Sequence, residues 1–311
     1  MKLTVSAFSV IIVVTLLEIF LRIFFFNGMN YEIEMMKYAK NFKKISANSD
    51  IGIEHKGNTS GELMGSSVYL DYNGFRVDKN SRFKDKNKNI IMLGDSMTFG
   101  WGANNSFSSL LDKKIENFNV FNAGIGNTNT IMQINNFFEN FSDKFKYDII
   151  VLNFFINDLE NVIIKSPNLF QKYSYLYTFL NNRINTILIK FKIKKNWKNY
   201  YSDNYLNDEI KKETLLLIDK LNRYCLKNDI KFVIHNIPEL RDLTNYKFYK
   251  ETQIIKDFAG LKNILYLDSL SELKKHDSKS LWVTVLDPHA NDKAHRIIAK
   301  YLFENLENFL N

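Results

Sequence analysis

Residues 90–100 read IIMLGDSMTFG, an apolar run that ends abruptly in small and polar residues. A short apolar run bounded by a turn is typical of a buried strand. A serine directly after such a strand, at the start of a helix, can present its hydroxyl into a cleft where nearby backbone N–H groups favour negative charge. Alternatively, the serine only caps the helix. The stretch predicts a strand that turns into a helix, with Ser96 as a candidate nucleophile at the junction.

Similar apolar runs recur downstream. We predict strands at 119–121, 148–155, 231–237 and 264–267, separated by segments with helical spacing. Short apolar strands that alternate with helices indicate a parallel sheet covered on both faces. The predicted fold class is therefore α/β, a flavodoxin-like three-layer α/β/α sandwich with a parallel five-stranded sheet. In such sheets the functional site lies beyond the carboxyl ends of the strands.

Changes in composition divide the chain into three parts. Residues 1–27 are mostly apolar, and residues 28–88 are polar and mixed, as expected of a stalk or a peripheral layer. The alternation of strands and helices occupies residues 89–311, which we assign to the α/β domain. An insertion at about 160–205, rich in Tyr, Phe, Asn and Lys, interrupts this alternation.

The N-terminal segment is long enough to cross a bilayer as a helix, since more than 20 mostly apolar residues precede Asn27. Glu18 and Arg22 interrupt it at i, i+4 spacing and can pair on one helix face. No small-residue cleavage site follows, which predicts an uncleaved signal anchor; the alternative is a buried or interfacial helix. Lys2 favours an extracytoplasmic domain, in the periplasm or cell envelope, whereas lysines at 37–44 favour the opposite orientation.

The formal net charge is +8, with the lysines scattered along the chain. A basic balance can indicate nucleic acid, an anionic membrane or an anionic polymer as partner, or only a solvated lysine-rich surface. No nucleic-acid-binding motif is present, so we exclude nucleic acid as the main partner. The single cysteine, Cys225, excludes an intrachain disulfide and a cysteine-based metal cluster, and its apolar surroundings predict burial.

A serine nucleophile needs a base, and the chain has five histidines. His289 lies in the sequence LDPHAN, just before the last predicted helix, and Asp287 can reach its second ring nitrogen and fix the tautomer. The other histidines lie in contexts that favour structural or solvated roles: His55 in the polar segment, His235 inside an apolar strand, His276 in a charged loop, and His295, which we expect to pack or cap.

Two further polar segments offer donors for a developing oxyanion. Residues 122–130 read NAGIGNTNT, and glycines let backbone N–H groups approach a ligand closely. Asn157 and Asp158 follow the strand at 148–155, and an amide donor of this kind contributes roughly 3–4 kcal/mol in comparable sites. The alternative for this pair is an ordinary turn or helix cap.

Together these segments resemble the SGNH/GDSL hydrolase family in their order and in their position relative to the strands. The residues that carry the resemblance are GDSMTFG at 94–100, Asn157-Asp158, and Asp287-Pro288-His289. It extends over about residues 73–306, and NGFR at 73–76 and PELR at 238–241 are similar to segments of membrane-anchored members. The sequence departs from the family at Phe155, where a glycine is usual, and in the Asp–His spacing of two rather than three.

The resemblance implies specific roles. Ser96 is the nucleophile, His289 its base and Asp287 the residue that orients the base. The backbone N–H groups of Ser96 and Gly126, with the Asn157 side chain, bind the oxyanion; the spacing from Asn122 leaves Asn127 as the alternative to Gly126. Neither a metal nor an organic cofactor is implied.

The resemblance also implies an acyl-ester hydrolase or acyltransferase whose substrate is an acylated carbohydrate or lipid, with the chain bound to the membrane through its N-terminal helix. The first candidate substrate is an O-acetyl group on a cell-envelope glycan. One alternative is a lysophospholipase or thioesterase whose aromatic insertion at 160–205 dips into the bilayer. The other is a catalytically inactive scaffold in envelope polysaccharide assembly, which Phe155 would favour by crowding the oxyanion site.

Overall fold

The computed structural model describes residues 2–25, 28, 30–78, 86–164, 166–191, 193 and 197–310. Its helices are α1 (Lys2–Phe24), α2 (Tyr31–Asn41), α3 (Ser96–Phe99), α4 (Phe107–Lys114), α5 (Thr130–Asn136), α6 (Leu169–Tyr173), α7 (Tyr175–Lys190), α8 (Trp197–Asn204), α9 (Asp208–Lys227), α10 (Tyr249–Leu261), α11 (Leu270–Leu273) and α12 (Asp292–Leu310). Its strands are β1 (Lys43–Ile45), β2 (Ile53–His55), β3 (Thr59–Leu63), β4 (Ser66–Leu70), β5 (Arg76–Val77), β6 (Lys88–Leu93), β7 (Phe118–Asn122), β8 (Ile149–Phe155), β9 (Lys231–Ile237), β10 (Leu265–Asp268), β11 (Trp282–Thr284) and β12 (Asp287–Ala290).

The central sheet has eight strands in the order β10-β9-β8-β6-β7-β5-β4-β3. The first five are parallel, as the sequence predicted, and the last three are antiparallel. The segment that carries β3, β4 and β5 was expected to be a stalk or a peripheral layer. Its strands escaped prediction because β3 is largely exposed and β5 has only two residues, so neither presents an apolar run.

Helices cover both faces of the parallel part of the sheet. The chain passes from β6 outward to β7 and then back across β6 to β8. Because parallel crossovers are right-handed, α4 and α5 lie on opposite faces. On one face α4 packs against α12, and on the other α5 packs against α9. This double cover explains why all seven residues of β8 are buried.

The carboxyl ends of β6 and β8 lie side by side, since Leu93 pairs with Leu152. The turns that follow these strands therefore open at the same edge of the sheet. The loop after β7 reaches the same edge, because Met92 pairs with Asn122. This edge brings together three of the segments that the sequence singled out, those that follow β6, β7 and β8.

Helix α1 differs from the rest of the chain in its exposure. The stretch Ser6–Phe24 has a mean hydropathy of 2.4 and is only 6% buried, and it is long and apolar enough to cross a membrane. The pairing of Arg22 with Glu18 is confirmed, at 2.8 Å. Near its end, Leu21 is buried against Ile33 of α2 and Tyr175 of α7. Burial of Cys225 is likewise confirmed.

Candidate active site

Ser96 is the first residue of α3, directly after the turn that ends β6. The turn needs a glycine at 94, because the backbone there has φ +155° and a Cβ would lie 2.1 Å from Thr98 Oγ1. The Asp95 carboxylate accepts a hydrogen bond from the Met97 N–H at 2.8 Å and so caps the helix. Gly100 ends the helix after one turn, in the left-handed conformation. Ser96 is thus fixed at the edge of the sheet by residues on either side of it.

Three predicted catalytic side chains meet there in a hydrogen-bonded chain. Ser96 Oγ lies 3.0 Å from Nε2 of His289. The other ring nitrogen, Nδ1, lies 2.5 Å from Oδ1 of Asp287. The second carboxylate oxygen accepts a hydrogen bond from the Trp101 indole at 2.9 Å, which fixes the plane of the carboxylate. The order nucleophile, imidazole, carboxylate is the arrangement that activates a serine.

The Asp–His spacing of two follows from local structure. Asp287 and His289 both lie in β12, which pairs with β11 in an antiparallel hairpin. Successive side chains of a strand point to opposite faces, so residues i and i+2 point to the same face. The extended backbone also lets the His289 N–H donate to Asp287 Oδ1 at 3.1 Å. A spacing of two therefore suits a strand.

The surroundings of His289 shift the pKa of its imidazole in opposite directions, since burial and Arg241 lower it and the nearby carboxylates raise it. Burial alone would lower the pKa of His289, but Asp287, and to a smaller extent Asp95, raise it above its ordinary value. Burial alone would raise the pKa of Asp287, but the His289 ring lowers it more. The pKa of this carboxyl is therefore below its ordinary value. The carboxylate is therefore ionised at neutral pH and stabilises the imidazolium that forms when the ring accepts a proton.

The predicted oxyanion donors lie around Ser96, but they are not equivalent. A Cβ added to Gly126 would lie 3.4 Å from the Ser96 Cβ, so this loop borders Ser96. The Gly126 N–H, however, donates to the Tyr38 hydroxyl at 3.0 Å and is engaged in this structure. Asn127 has a left-handed backbone with φ +62°. The Asn157 side chain lies beside Asp95. Burial raises the pKa of the Asp95 carboxyl, and a hydrogen bond from Asn157 offsets part of that rise.

Sequence reasoning missed the contribution of residues 30–78, which we call the N-terminal layer. Tyr38 is fully buried, and its hydroxyl, which accepts from Gly126, donates to Nε2 of His55 at 2.7 Å. The other ring nitrogen of His55 donates to the Gly74 carbonyl at 2.9 Å. Burial lowers the pKa of His55 to about 3, so the ring is neutral and the direction of these hydrogen bonds is fixed.

Lys43 completes the contact between the N-terminal layer and the loop. Its ammonium donates to the Gly126 carbonyl at 2.8 Å and lies 4.2 Å from the centre of the Tyr38 ring. Burial lowers the pKa of Lys43 to about 7. Both polar backbone groups of Gly126 are thus bonded to side chains that lie more than 80 residues earlier in the chain.

Two more residues of the N-terminal layer contact the catalytic elements. The Tyr31 ring stacks on His289, with centroids 6.0 Å apart, and meets Trp101 edge-on at 5.8 Å. The buried Arg76 guanidinium donates to the carbonyls of Phe99, at 2.8 Å, and of Gly100, and to a third carbonyl at Ala103. A cation at the end of a helix is favourable, so Arg76 stabilises α3 at the end opposite Ser96. The similarity of NGFR to a family segment was the sequence signal that pointed here.

The remaining buried histidines have structural roles, as expected. His235 is bonded through both ring nitrogens, to Asn153 at 2.8 Å and to Ser269 at 2.6 Å. His295 accepts the Phe107 N–H at 3.1 Å and so caps the start of α4.

Phe155, which departs from the family pattern, is buried in the main apolar core, and its N–H donates to Asp158 at 3.0 Å. Within the described residues, no group of three or more His, Cys, Asp or Glu could hold a metal ion.

No family model matches the sequence, and no curated protein matches it. Solved structures similar to the chain include an acetyl xylan esterase, with 17% identity, a TM-score of 0.47, and coverage of 70% of this chain and 99% of that one. An acetylxylan esterase from Geobacillus stearothermophilus has 13% identity and a TM-score of 0.48, covering 71% of this chain and 94% of its own. An alpha/beta hydrolase from the metagenome of Lake Arreo has 12% identity and a TM-score of 0.48, and the match covers 74% of this chain and 100% of that one. The chemistry of the site rests on its own geometry.

Proposed function

We propose that the protein is a serine esterase in which Ser96 attacks the carbonyl carbon of an ester. The observation that carries the proposal is the chain of hydrogen bonds from Ser96 Oγ to His289, at 3.0 Å, and from His289 to Asp287, at 2.5 Å. His289 accepts the serine proton as the Oγ–C bond forms. The same proton then passes to the leaving alcohol as the ester C–O bond breaks.

The negative charge that develops on the carbonyl oxygen needs donors on the far side of Ser96. We assign this role to the backbone N–H of Ser96 and the side-chain amide of Asn157. For the third donor, we favour the N–H of Asn127 over that of Gly126, because the latter is bonded to Tyr38. Water, or a sugar hydroxyl in a transfer reaction, then attacks the acyl-enzyme with His289 acting as the base again.

The substrate class we propose is an O-acetyl group on a glycan of the cell envelope. Two features support it: the similarity of GDSMTFG and DPH to SGNH hydrolases, and an N-terminal helix with the length and hydropathy of a membrane anchor. As an uncleaved anchor, α1 would keep the site close to the membrane. We place the α/β domain on the extracytoplasmic side, since Lys2 favours a cytoplasmic N-terminus.

The test is hydrolysis of p-nitrophenyl acetate by the full chain in detergent, beside Ser96→Ala and His289→Ala. We expect each substitution to lower kcat/KM by about 10³-fold or more. Ser271→Ala and His276→Ala remove a serine and a histidine outside the site and serve as matched controls with unchanged activity. Release of acetate from acetylated glycan by the parent, but not by Ser96→Ala, would extend the result to the proposed substrate.

A second candidate is a lipid ester or thioester hydrolase. It is favoured by the exposed apolar residues of α7, which lie next to α1. Comparing p-nitrophenyl esters from two to sixteen carbons separates the candidates, since a lipid hydrolase has its highest kcat/KM with long chains. A parent that hydrolyses none of these esters and leaves a fluorophosphonate unreacted would support the inactive scaffold instead.

A further inference from the structure

Helix α7 carries an exposed apolar stripe. Its members recur at intervals of three and four residues and so lie on one face of the helix. Their exposed fractions run from 37% to 70%, for Tyr177, Leu180, Ile184, Ile187 and Phe191. The opposite face packs on the protein through Tyr175, which is 9% exposed, and through Phe179, whose ring lies 5.8 Å from that of Phe25. One side of α7 thus belongs to the fold, and the other faces outward.

The start of α7 is bonded to α1 by specific polar contacts. The Glu18 carboxylate accepts the backbone N–H groups of Tyr175, at 3.0 Å, and Leu176, at 2.9 Å. It therefore caps α7 from the neighbouring helix. Arg22 donates to the Tyr173 carbonyl at 2.6 Å. On α1, the residues next to this junction include exposed Ile19, Phe20, Ile23 and Phe24, so apolar surface continues from the candidate span to the helix docked on it.

The sequence segment that contains the stripe carries charge of a single sign. Residues 161–202 contain no Asp or Glu and eight basic residues: Lys165, Lys172, Arg183, Lys190, Lys192, Lys194, Lys195 and Lys198. A helix with an apolar face, flanking lysines and no acidic residues is typical of one that lies in the surface of an anionic bilayer. Two copies of this stripe packed together would instead bring like charges into proximity, whereas helix pairs of that kind usually carry both signs beside the seam.

We propose that α7 forms a second membrane contact, with the apolar stripe inserted at the surface of an anionic bilayer beside α1. The inference rests on the proposed role of α1 as an anchor. It also deepens the proposed function, because two contacts connect α7 to the active site. Thr178 of α7 lies 3.4 Å from the sulfur of Met36 in α2, and Tyr31, the first residue of α2, stacks on His289. A bilayer that contacts α7 is therefore connected to the catalytic base through one helix. Such a site would lie within reach of esters presented at the membrane surface.

The test places a fluorescent label on the stripe of the full chain, reconstituted in vesicles of phosphatidylcholine and phosphatidylglycerol at 3:1. Cys225→Ala removes the native thiol, and Ile184→Cys carries the label. Leu261→Cys, at a position 77% exposed at the end of α10, is the matched control. We expect a quencher attached to the lipid chains to reduce the emission at 184 at least threefold more than at 261. Aqueous iodide should quench the label at 261 more than the label at 184. A label on Ile187→Cys should be quenched as the label at 184 is.

Three outcomes would overturn the proposal. Equal quenching by lipid and by iodide at the two positions would place the stripe in water. Self-quenching at 184 that rises with protein density, without quenching by lipid, would assign the stripe to a second copy of the chain. Equal lipid quenching in vesicles of phosphatidylcholine alone would remove the role of the basic residues. Hydrolysis of p-nitrophenyl acetate by the same labelled samples reports on the esterase separately, so a failure of one proposal leaves the other distinguishable.

Discussion

The carboxyl edge of the parallel sheet and the N-terminal layer build the same site by different means. At the sheet edge, each candidate catalytic residue is positioned by its own local element, Ser96 by the turn after β6 and Asp287 and His289 by the β11–β12 hairpin. In the N-terminal layer, Tyr38 and Lys43 act on a loop more than 80 residues away, through buried polar contacts. Chemistry is thus placed locally, while its support comes from distant parts of the chain. Substitutions in the two regions should have different effects.

The largest effect is expected at the sheet edge, for Asp287→Ala. Without the carboxylate, the His289 ring loses both its orientation and the charge that stabilises the imidazolium. We expect kcat to fall by about 10³- to 10⁴-fold, with little change in KM. Steady-state hydrolysis of p-nitrophenyl acetate measures this, with Asp257→Ala on the exposed face of α10 as the control. A loss below tenfold would mean that another residue supports the imidazole.

In the N-terminal layer, Arg76→Met should act mainly on stability. The variant removes the Arg76 donors to three buried carbonyls at the end of α3, of which the Gly100 carbonyl alone keeps a second donor, the Ala103 N–H. We expect the free energy of unfolding to fall by about 3 kcal/mol, since each buried unsatisfied group costs about 1–3 kcal/mol. Denaturant unfolding followed by tryptophan fluorescence provides the value. If stability is unchanged but activity is lost, Arg76 belongs with the catalytic residues instead.

Tyr38→Phe should combine the two kinds of effect. It removes the acceptor for the Gly126 N–H and the donor to His55, while the ring that fills the core remains. We expect kcat to fall about tenfold, because a loop displaced by a fraction of an ångström misplaces the oxyanion donors. Tyr72→Phe, at a position 64% exposed, is the matched control. A rise in kcat would reverse the interpretation, since it would mean that Tyr38 obstructs a donor that the reaction uses.

The smallest expected effect is on the pH profile. His289 acts as a base only when neutral, and Asp287 helps to raise its pKa above the ordinary value. Activity should therefore be full at high pH and fall as the pH drops through this raised pKa. In Asp287→Asn the residual activity should persist to lower pH, because the carboxylate that favours the charged ring is gone. A midpoint in kcat/KM that does not move would assign the titration to another group.

These differences also explain what the sequence could predict. The five parallel strands were predictable because each contains a short apolar run; Ser96 was predictable because it follows such a run, and His289 because it lies with Asp287 just before the last helix. The antiparallel strands were not, since β3 is largely exposed and β5 has only two residues. Residues 30–78 read as polar and mixed, yet His55 and Lys43 lie buried in a single network. No local pattern indicates a hydrogen bond between Tyr38 and Gly126.

The choice between Gly126 and Asn127 illustrates the same limit. Residue type favours glycine, because a small residue lets a ligand approach its N–H closely. Whether that N–H is free depends on Tyr38, which reaches it only in the folded chain. Similarly, the Asp287–His289 spacing departs from the commoner pattern until the two residues are seen on one strand, where their side chains share a face.

The most direct test of the central claim is the reaction of the full chain with a fluorophosphonate, followed by mass spectrometry of its peptides. If Ser96 is a nucleophile activated by His289, one adduct per chain forms and maps to Ser96. It should be absent from Ser96→Ala and form far more slowly in His289→Ala, while Ser271→Ala reacts as the parent does. An adduct on a different serine, or none on a folded parent, would contradict the account.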